Sequence, residues 1–224
     1  MASRTGRSDA ATEQRDLRVR VLGASVDSYP AVPEEVGRGS ARRITEVGEE
    51  ILHRPCRPVT EFGTPELASL IDDMFTSMYV AEGVGLAANQ IDVDAALFVY
   101  DCTDDDGVRH VGHIANPVLE EPDPAERRLI KGDEGCLSVP GAYMEVPRLE
   151  RAVVHGQDQT GAPLRLEGTG HFARCLQHET DHLRGSLYID RLSSRGRRKA
   201  LKEMEERRDE VLARRVEVAQ TLGR

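Results

Sequence analysis

The sequence predicts an α+β fold: antiparallel or mixed strands packed around a central helix that bears two histidines, with one helix N-terminal to it and another at the C-terminus. Three observations predict this. An amphipathic helical pattern over 64–80 comes before the clearest strands. Apolar, β-prone runs then follow one another, Ala96–Tyr100, Val108–Ile114, Ala152–His155 and Leu164–Leu166, without the regular helix between strands that a βαβ fold requires. The histidine-bearing segment arrives only after the last of these runs.

Taken in order, residues 1–42 are polar, with Ser, Gly, Pro and Arg and no sustained period, and predict a largely flexible extension. Within it Leu17–Val21 alternates as a short strand would, and Asp9, Glu13 and Asp16 oppose a transit peptide, which is poor in acids. The folded part begins near Ile44. Thr64 is a good helix cap, Pro65 suits a first turn, and Leu67, Leu70, Ile71, Met74, Phe75 and Met78 keep helical spacing. That helix stops before the Gly-rich loop Gly83-Val84-Gly85. Acidic turns such as Asp104-Asp105-Asp106-Gly107 separate later strands. Phe172, Leu176, Leu183 and Leu187 give the histidine segment a buried side, and Gly185 suits its stop. After Leu192 the composition shifts: residues 195–215 hold nine Arg or Lys against five Asp or Glu. This reads as a terminal helix solvated through i,i+4 pairs, or, more sharply, as an arm for an acidic partner such as RNA. The division expected is an extension over 1–42, a catalytic domain over 43–194 and a charged helix over 195–224.

Composition narrows the function. The 224 residues carry a formal charge of −9, which disfavours nonspecific nucleic-acid binding by the body and gives no sign of specific DNA binding. No apolar run reaches membrane-spanning length, and the N-terminus lacks a signal-peptide core. Cys56, Cys102, Cys136 and Cys175 are scattered, which favours a reduced, intracellular setting over a disulfide framework.

The chemistry centres on His178-Glu179-Thr180-Asp181-His182. At about 3.6 residues per turn, positions i and i+4 share a helix face, so both imidazoles can reach one metal ion. Glu179 lies beside the same ion, placed to move protons rather than to bind. A solvated polar face is the simpler reading, but the apolar flanks bury one side of the helix, and a buried polar cluster needs partners that a metal supplies. A catalytic site needs a third protein ligand and an open position. Glu134-Gly135-Cys136-Leu137-Ser138 offers Cys136, while Cys175 lies one turn before His178 on the same face. Three ligands from a single helix would crowd one side of the ion, which favours Cys136; spacing alone leaves Cys175 open.

Three segments together resemble the motifs of the peptide deformylases of bacterial type: Gly83-Val84-Gly85-Leu86-Ala87-Ala88-Asn89-Gln90, Glu134-Gly135-Cys136-Leu137-Ser138 and Gln177-His178-Glu179-Thr180-Asp181-His182. They stand in that family's order, and the resemblance runs from Ile44 to Leu192. It implies removal of the formyl group from the N-terminal formyl-methionine of new proteins in a bacterial cytoplasm. It implies metal ligation by Cys136, His178 and His182, with Fe(II) the usual ion and Zn, Ni or Co able to replace it. It implies Glu179 as general base and then acid, Gln90 and the Leu137 N–H as oxyanion donors, and Val84, Gly85 and Gly135 along the substrate cleft. The chain departs from the pattern at Asn89, where relatives carry Pro; activity is expected to survive that change. Arg174 stands where relatives often carry an apolar residue near the methionine pocket; it either alters side-chain preference or points to solvent. By the same resemblance Glu134 and Arg148 form a buried ion pair. His53, His110, His113, His155 and His171 show no ligand spacing.

Two other readings compete. An H-E-x-x-H metallopeptidase would complete its site with His or Glu rather than a thiolate. A non-catalytic, metal-stabilised ribosome-binding module would close its ion with a fourth protein ligand, Cys175 included. The basic C-terminal helix is the expected ribosome contact in either an enzyme or a module.

Overall fold

A computed structural model describes residues 19–125 and 127–223 of the chain. In chain order it holds β1 (Val19–Val21), β2 (Ala24–Val26), α1 (Glu34–Arg38), α2 (Pro65–Val80), β3 (Gly85–Ala87), β4 (Leu97–Thr103) and β5 (Arg109–Leu119). There follow β6 (Leu129–Cys136), β7 (Val139–Leu149), β8 (Arg151–Gln157), β9 (Pro163–Thr169), α3 (Gly170–Leu183) and α4 (Ser194–Thr221). The α+β class predicted above is the class observed, with the histidine helix α3 at its centre.

Residues 1–18, including the start of the expected strand Leu17–Val21, lie outside the described residues. From Val19 onward the stretch expected to be flexible is instead structured. β1 runs parallel to β5, Val19 opposite Arg109, and α1 buries Val36 against α2. The anchors are long-range and polar, which is why composition conceals them. Arg109 donates to the Pro30 and Ala31 carbonyls at 2.8 and 3.1 Å, and Arg38 grips Asp72 with two bonds at 2.9 and 2.8 Å.

α2 starts as its residues dictate. The Thr64 hydroxyl accepts from the Leu67 N–H at 3.2 Å, and Pro65 occupies the first turn, where no intrahelical donor is needed. Leu67, Ile71, Met74, Phe75 and Met78 are buried against Leu86, Leu97 and Val99. β3, β4, β5, β8 and β9 pair antiparallel in that order, and all four predicted runs fall inside observed strands or at their edges. Gly85, expected in a loop, opens β3, which lies at a sheet edge.

β6 and β7 form a separate hairpin that the sequence reading did not mark. Gly132, Gly135, Pro140 and Pro147 argue against strands. The signal lies in the alternation instead: Ala142, Met144, Val146 and Arg148 point inward while Tyr143, Glu145 and Pro147 face outward. The register shifts between Gly135 and Cys136, and this irregularity turns Cys136 into the protein interior.

α3 is buried along its length from Phe172 to Leu183. Phe172, Ala173, Leu176 and Leu183 pack on the large sheet. Gly185 ends it in the left-handed region at φ +76°, and a Cβ there would meet the Arg54 backbone at 2.5 Å. α4, capped by the Ser193 hydroxyl on the Gly196 N–H at 3.2 Å, runs along β7. Ala200, Leu201 and Met204 close the core beneath Cys136, Val139, Ala142 and Met144. No helix among the described residues is long and apolar enough to cross a membrane.

Candidate metal centre

Two elements bring three donors together. α3 presents Nε2 of His178 and His182 from successive turns, 3.2 Å apart. The bent end of β6 presents Cys136 Sγ at 3.2 Å from His182 Nε2. All three donor atoms lie within 4.8 Å of one another, the spread expected of ligands that share one ion. Cys175 stands outside this group; its Sγ faces the Val84 carbonyl at 3.8 Å and the Cys102 side chain.

The surroundings set the chemistry of these donors. Glu134 Oε1 lies 2.7 Å from His178 Nδ1, which places the proton on Nδ1 and leaves the Nε2 lone pair for a cation. Glu134 is itself held by Arg148, through Nε at 3.0 Å and Nη2 at 2.5 Å, and by Arg174 Nη1 at 2.9 Å. Burial pushes the Glu134 carboxyl up, but Arg148 and His178 outweigh it and hold the group well below the usual carboxylate range. Arg148 also reaches Asp181, which Arg191 grips from outside through two bonds at 2.8 Å. Burial disfavours charge on His178, yet Cys136 and Glu134 carry its affinity for a proton well above the ordinary value. His182, by contrast, is held neutral by burial and by His178. The three donors thus converge in a largely buried setting, the kind of polar cluster that a bound cation satisfies.

Glu179 faces the same centre. Burial pushes its carboxyl up to about 7, with Glu134 adding to the rise and His178 and Arg148 opposing it. Its Oε2 is buried and has no hydrogen-bond partner among the described residues. Gly85 permits this placement, since a Cβ there would collide with Glu179 Oε1. Gln90 is oriented by its own turn: Oε1 accepts from the Ala87 N–H at 2.9 Å. Its Nε2 then donates to Ser138 Oγ at 3.2 Å and lies 3.6 Å from Cys136 Sγ.

A cleft of about 840 Å³ opens over the centre, with Val84, Gly85 and Gln90 on one side and Gly135, Cys136 and Leu137 on the other. Its two lips are strand edges, β3 at the end of the large sheet and β6 of the two-stranded hairpin. All nine site residues singled out from sequence thus meet in one place: the three donors, Glu179, Gln90, Leu137, Val84, Gly85 and Gly135. Sequence reasoning missed Ser138, although it lies within the quoted cysteine motif. It also missed Glu82 and Arg215 at the cleft mouth, which no local pattern marks. Asn89 does more than relax the backbone: its Nδ2 donates to the His182 carbonyl at 2.7 Å, a bond Pro could not make. Arg174 does not point to solvent; it is buried, and also donates to the Val146 carbonyl at 2.8 Å. His53, His110, His113, His155 and His171 do not join the donor group. His110, for example, stacks on Phe172 and bonds Asp104 at 2.8 Å.

Comparison with known proteins agrees with this geometry. The family model for polypeptide deformylase matches residues 41–198. Peptide deformylase 1 of Streptomyces avermitilis is 58% identical over 169 residues, covering 75% of this chain and 78% of that protein. The crystal structure of a peptide deformylase from Legionella pneumophila superposes with a TM-score of 0.68 at 39% identity, covering 76% of this chain and 96% of that one. The peptide deformylase of Thermus thermophilus gives 0.64 at 40% identity, covering 80% and 99%. With the sequence, the fold and the cleft in agreement, this chain belongs to the polypeptide deformylase family.

Proposed function

We propose that the chain is a metal-dependent hydrolase that removes the formyl group from N-formyl-methionyl peptides of nascent proteins and releases formate. One observation carries the residue assignment: Cys136 Sγ and the two Nε2 atoms converge beside Glu179 and Gln90 at the base of a cleft between two strand edges. Cys136, His178 and His182 hold the ion. When bound, it supplies Lewis acidity, polarising a carbonyl and making water a better nucleophile.

The remaining steps belong to the chain. An extended peptide lies between β3 and β6, beside Val84, Gly85 and Gly135. Glu179 takes the proton from the attacking water; its carboxyl, raised by burial, suits a group that accepts a proton and then gives it up. The Gln90 amide and the Leu137 N–H meet the negative charge that develops on the formyl oxygen. Each such preset donor is worth roughly 3 kcal/mol of barrier. Glu179 then returns the proton to the departing amine, and formate leaves.

The comparisons lend nothing to the metallopeptidase or to the non-catalytic module, and Cys175 stays outside the donor group. Fe(II) is the expected ion on family grounds, and a thiolate with two imidazoles also accepts Zn, Ni or Co. Elemental analysis of protein purified without oxygen tests the choice. Formate release from formyl-Met-Ala-Ser, beside cleavage of an unblocked peptide, tests the activity; cleavage without formate release would refute it. The substrate places the enzyme in the cytoplasm. Ribosome contact falls to Arg195, Arg198, Lys199 and Lys202, on the first half of α4. Reversing those charges should reduce co-sedimentation with ribosomes and leave small-peptide kinetics intact.

A further inference from the structure

α4 touches both lips of the cleft with consecutive residues. Arg214 holds Glu82, ahead of β3, through two bonds at 3.1 and 3.0 Å. Arg215 donates from Nη2 to the Leu137 carbonyl, just past β6, at 2.9 Å. That carbonyl belongs to the peptide unit between Leu137 and Ser138. The N–H of the same unit, from Ser138, donates to Cys136 Sγ at 3.4 Å. A single amide therefore has a guanidinium on its oxygen and the candidate metal-binding sulfur on its hydrogen.

Two physical effects follow. A cation at a carbonyl oxygen draws electron density from the amide and strengthens its N–H as a donor. A fixed peptide plane at 137–138 also restricts the torsions of Leu137, and so the direction of the Leu137 N–H assigned to the oxyanion. We propose that Arg215 is a positioning residue of the metal centre, acting through the Leu137–Ser138 peptide on both the Cys136 sulfur and the Leu137 N–H. On this view the C-terminal helix completes the catalytic cleft. The inference rests on the roles assigned above to Cys136 and Leu137.

Helix docking alone is the simpler account, and Arg208 separates the two. Arg208 also pins α4 to the body, through bonds to Glu46 at 2.6 and 3.0 Å, but it does not touch the Leu137–Ser138 peptide. Arg215→Met keeps the apolar stem and removes the guanidinium. In the full-length chain it should lower kcat for formyl-Met-Ala-Ser about tenfold, in the range seen for groups that orient metal ligands, and leave KM within about twofold. In cobalt-substituted protein its sulfur-to-metal charge-transfer band should move to longer wavelength, because a weaker N–H bond leaves the thiolate richer in electrons. Arg208→Met should leave both readings at wild-type values. An unmoved band in Arg215→Met, an unchanged kcat, or an equal loss in Arg208→Met would each overturn the proposal. Should Arg215→Met not fold, Arg215→Lys makes the same comparison with a smaller shift expected, because a lysine offers a point charge rather than a fork. Wild-type protein that releases no formate would refute the activity, and the band comparison would still decide the role of Arg215.

Discussion

Replacing Glu134 by Gln changes one atom in the most heavily bonded carboxylate of the metal centre. Its two oxygens receive four donors, two from Arg148, one from Arg174 and one from His178. An amide keeps one acceptor and turns a second polar atom, now a donor, toward groups that can only donate. Arg148 and Arg174 are 1% and 7% exposed, so water cannot replace the lost charge. Among the described residues Asp181 then remains the only buried carboxylate bonded to this cluster, and it contacts Arg148 alone of the two. Leaving a buried charge without its partner costs roughly 3–5 kcal/mol. Urea unfolding of metal-free protein at pH 7, followed by circular dichroism, measures this loss without the added linkage of a bound ion. The sign with pH is fixed. Glu134 titrates well below its ordinary value in the folded state. Its contribution is complete above the unfolded pKa of about 4.3 and falls away as acid is added below it. The gap between wild type and variant should therefore narrow from about pH 5 toward acid. A gap below about 1 kcal/mol at pH 7, or one that widens on acidification, would refute the reading of Glu134 as a buried counter-charge. In the same variant, metal affinity should drop roughly 10- to 100-fold, because His178 loses the group that orients it.

Other outcomes are as definite. Glu179→Gln should bind metal normally and lose roughly 100- to 10,000-fold in kcat; metal content by emission spectroscopy and formate release check both. Cys136→Ala should lose its metal while Cys175→Ala retains it, and equal contents would mean the ligand set is wrong. Gly85→Ala should keep metal and fold yet lose most turnover, because the new methyl group occupies space that Glu179 Oε1 now fills. Wild-type kcat in that variant would show that Glu179 is free to move aside.

Much of this was legible in the chain because the controlling interactions are local. Thr64 and Pro65 start α2 through contacts within four residues, and Gly185 ends α3 through its own torsion. The His178–His182 spacing is a property of one helix. What stayed hidden is held by long-range pairs. The β6–β7 hairpin contains prolines and glycines that read as loop, and its inward face is legible only once the partner strand is known. Asn89 looked like a backbone adjustment, but its bond goes to a carbonyl 93 positions away. Arg174 could be given no direction until Glu134 was placed beside it. α4 carries few apolar residues, so its periodicity gave no hint of docking; Arg208 and Arg214 find Glu46 and Glu82 across 162 and 132 positions.

The seat of Cys136 is assembled from both directions along the chain. Leu52 comes from before it, and Leu187, Tyr188, Ile189, Ala200, Leu201 and Met204 come from after it. A polypeptide halted just past Leu183 would contain every proposed metal donor, yet the inner face of its hairpin would be bare. The packing around this sulfur is therefore complete only in a chain that includes residues 187–204. An enzyme assigned to newborn chains thus has its own sulfur seated by residues that follow its last proposed metal donor.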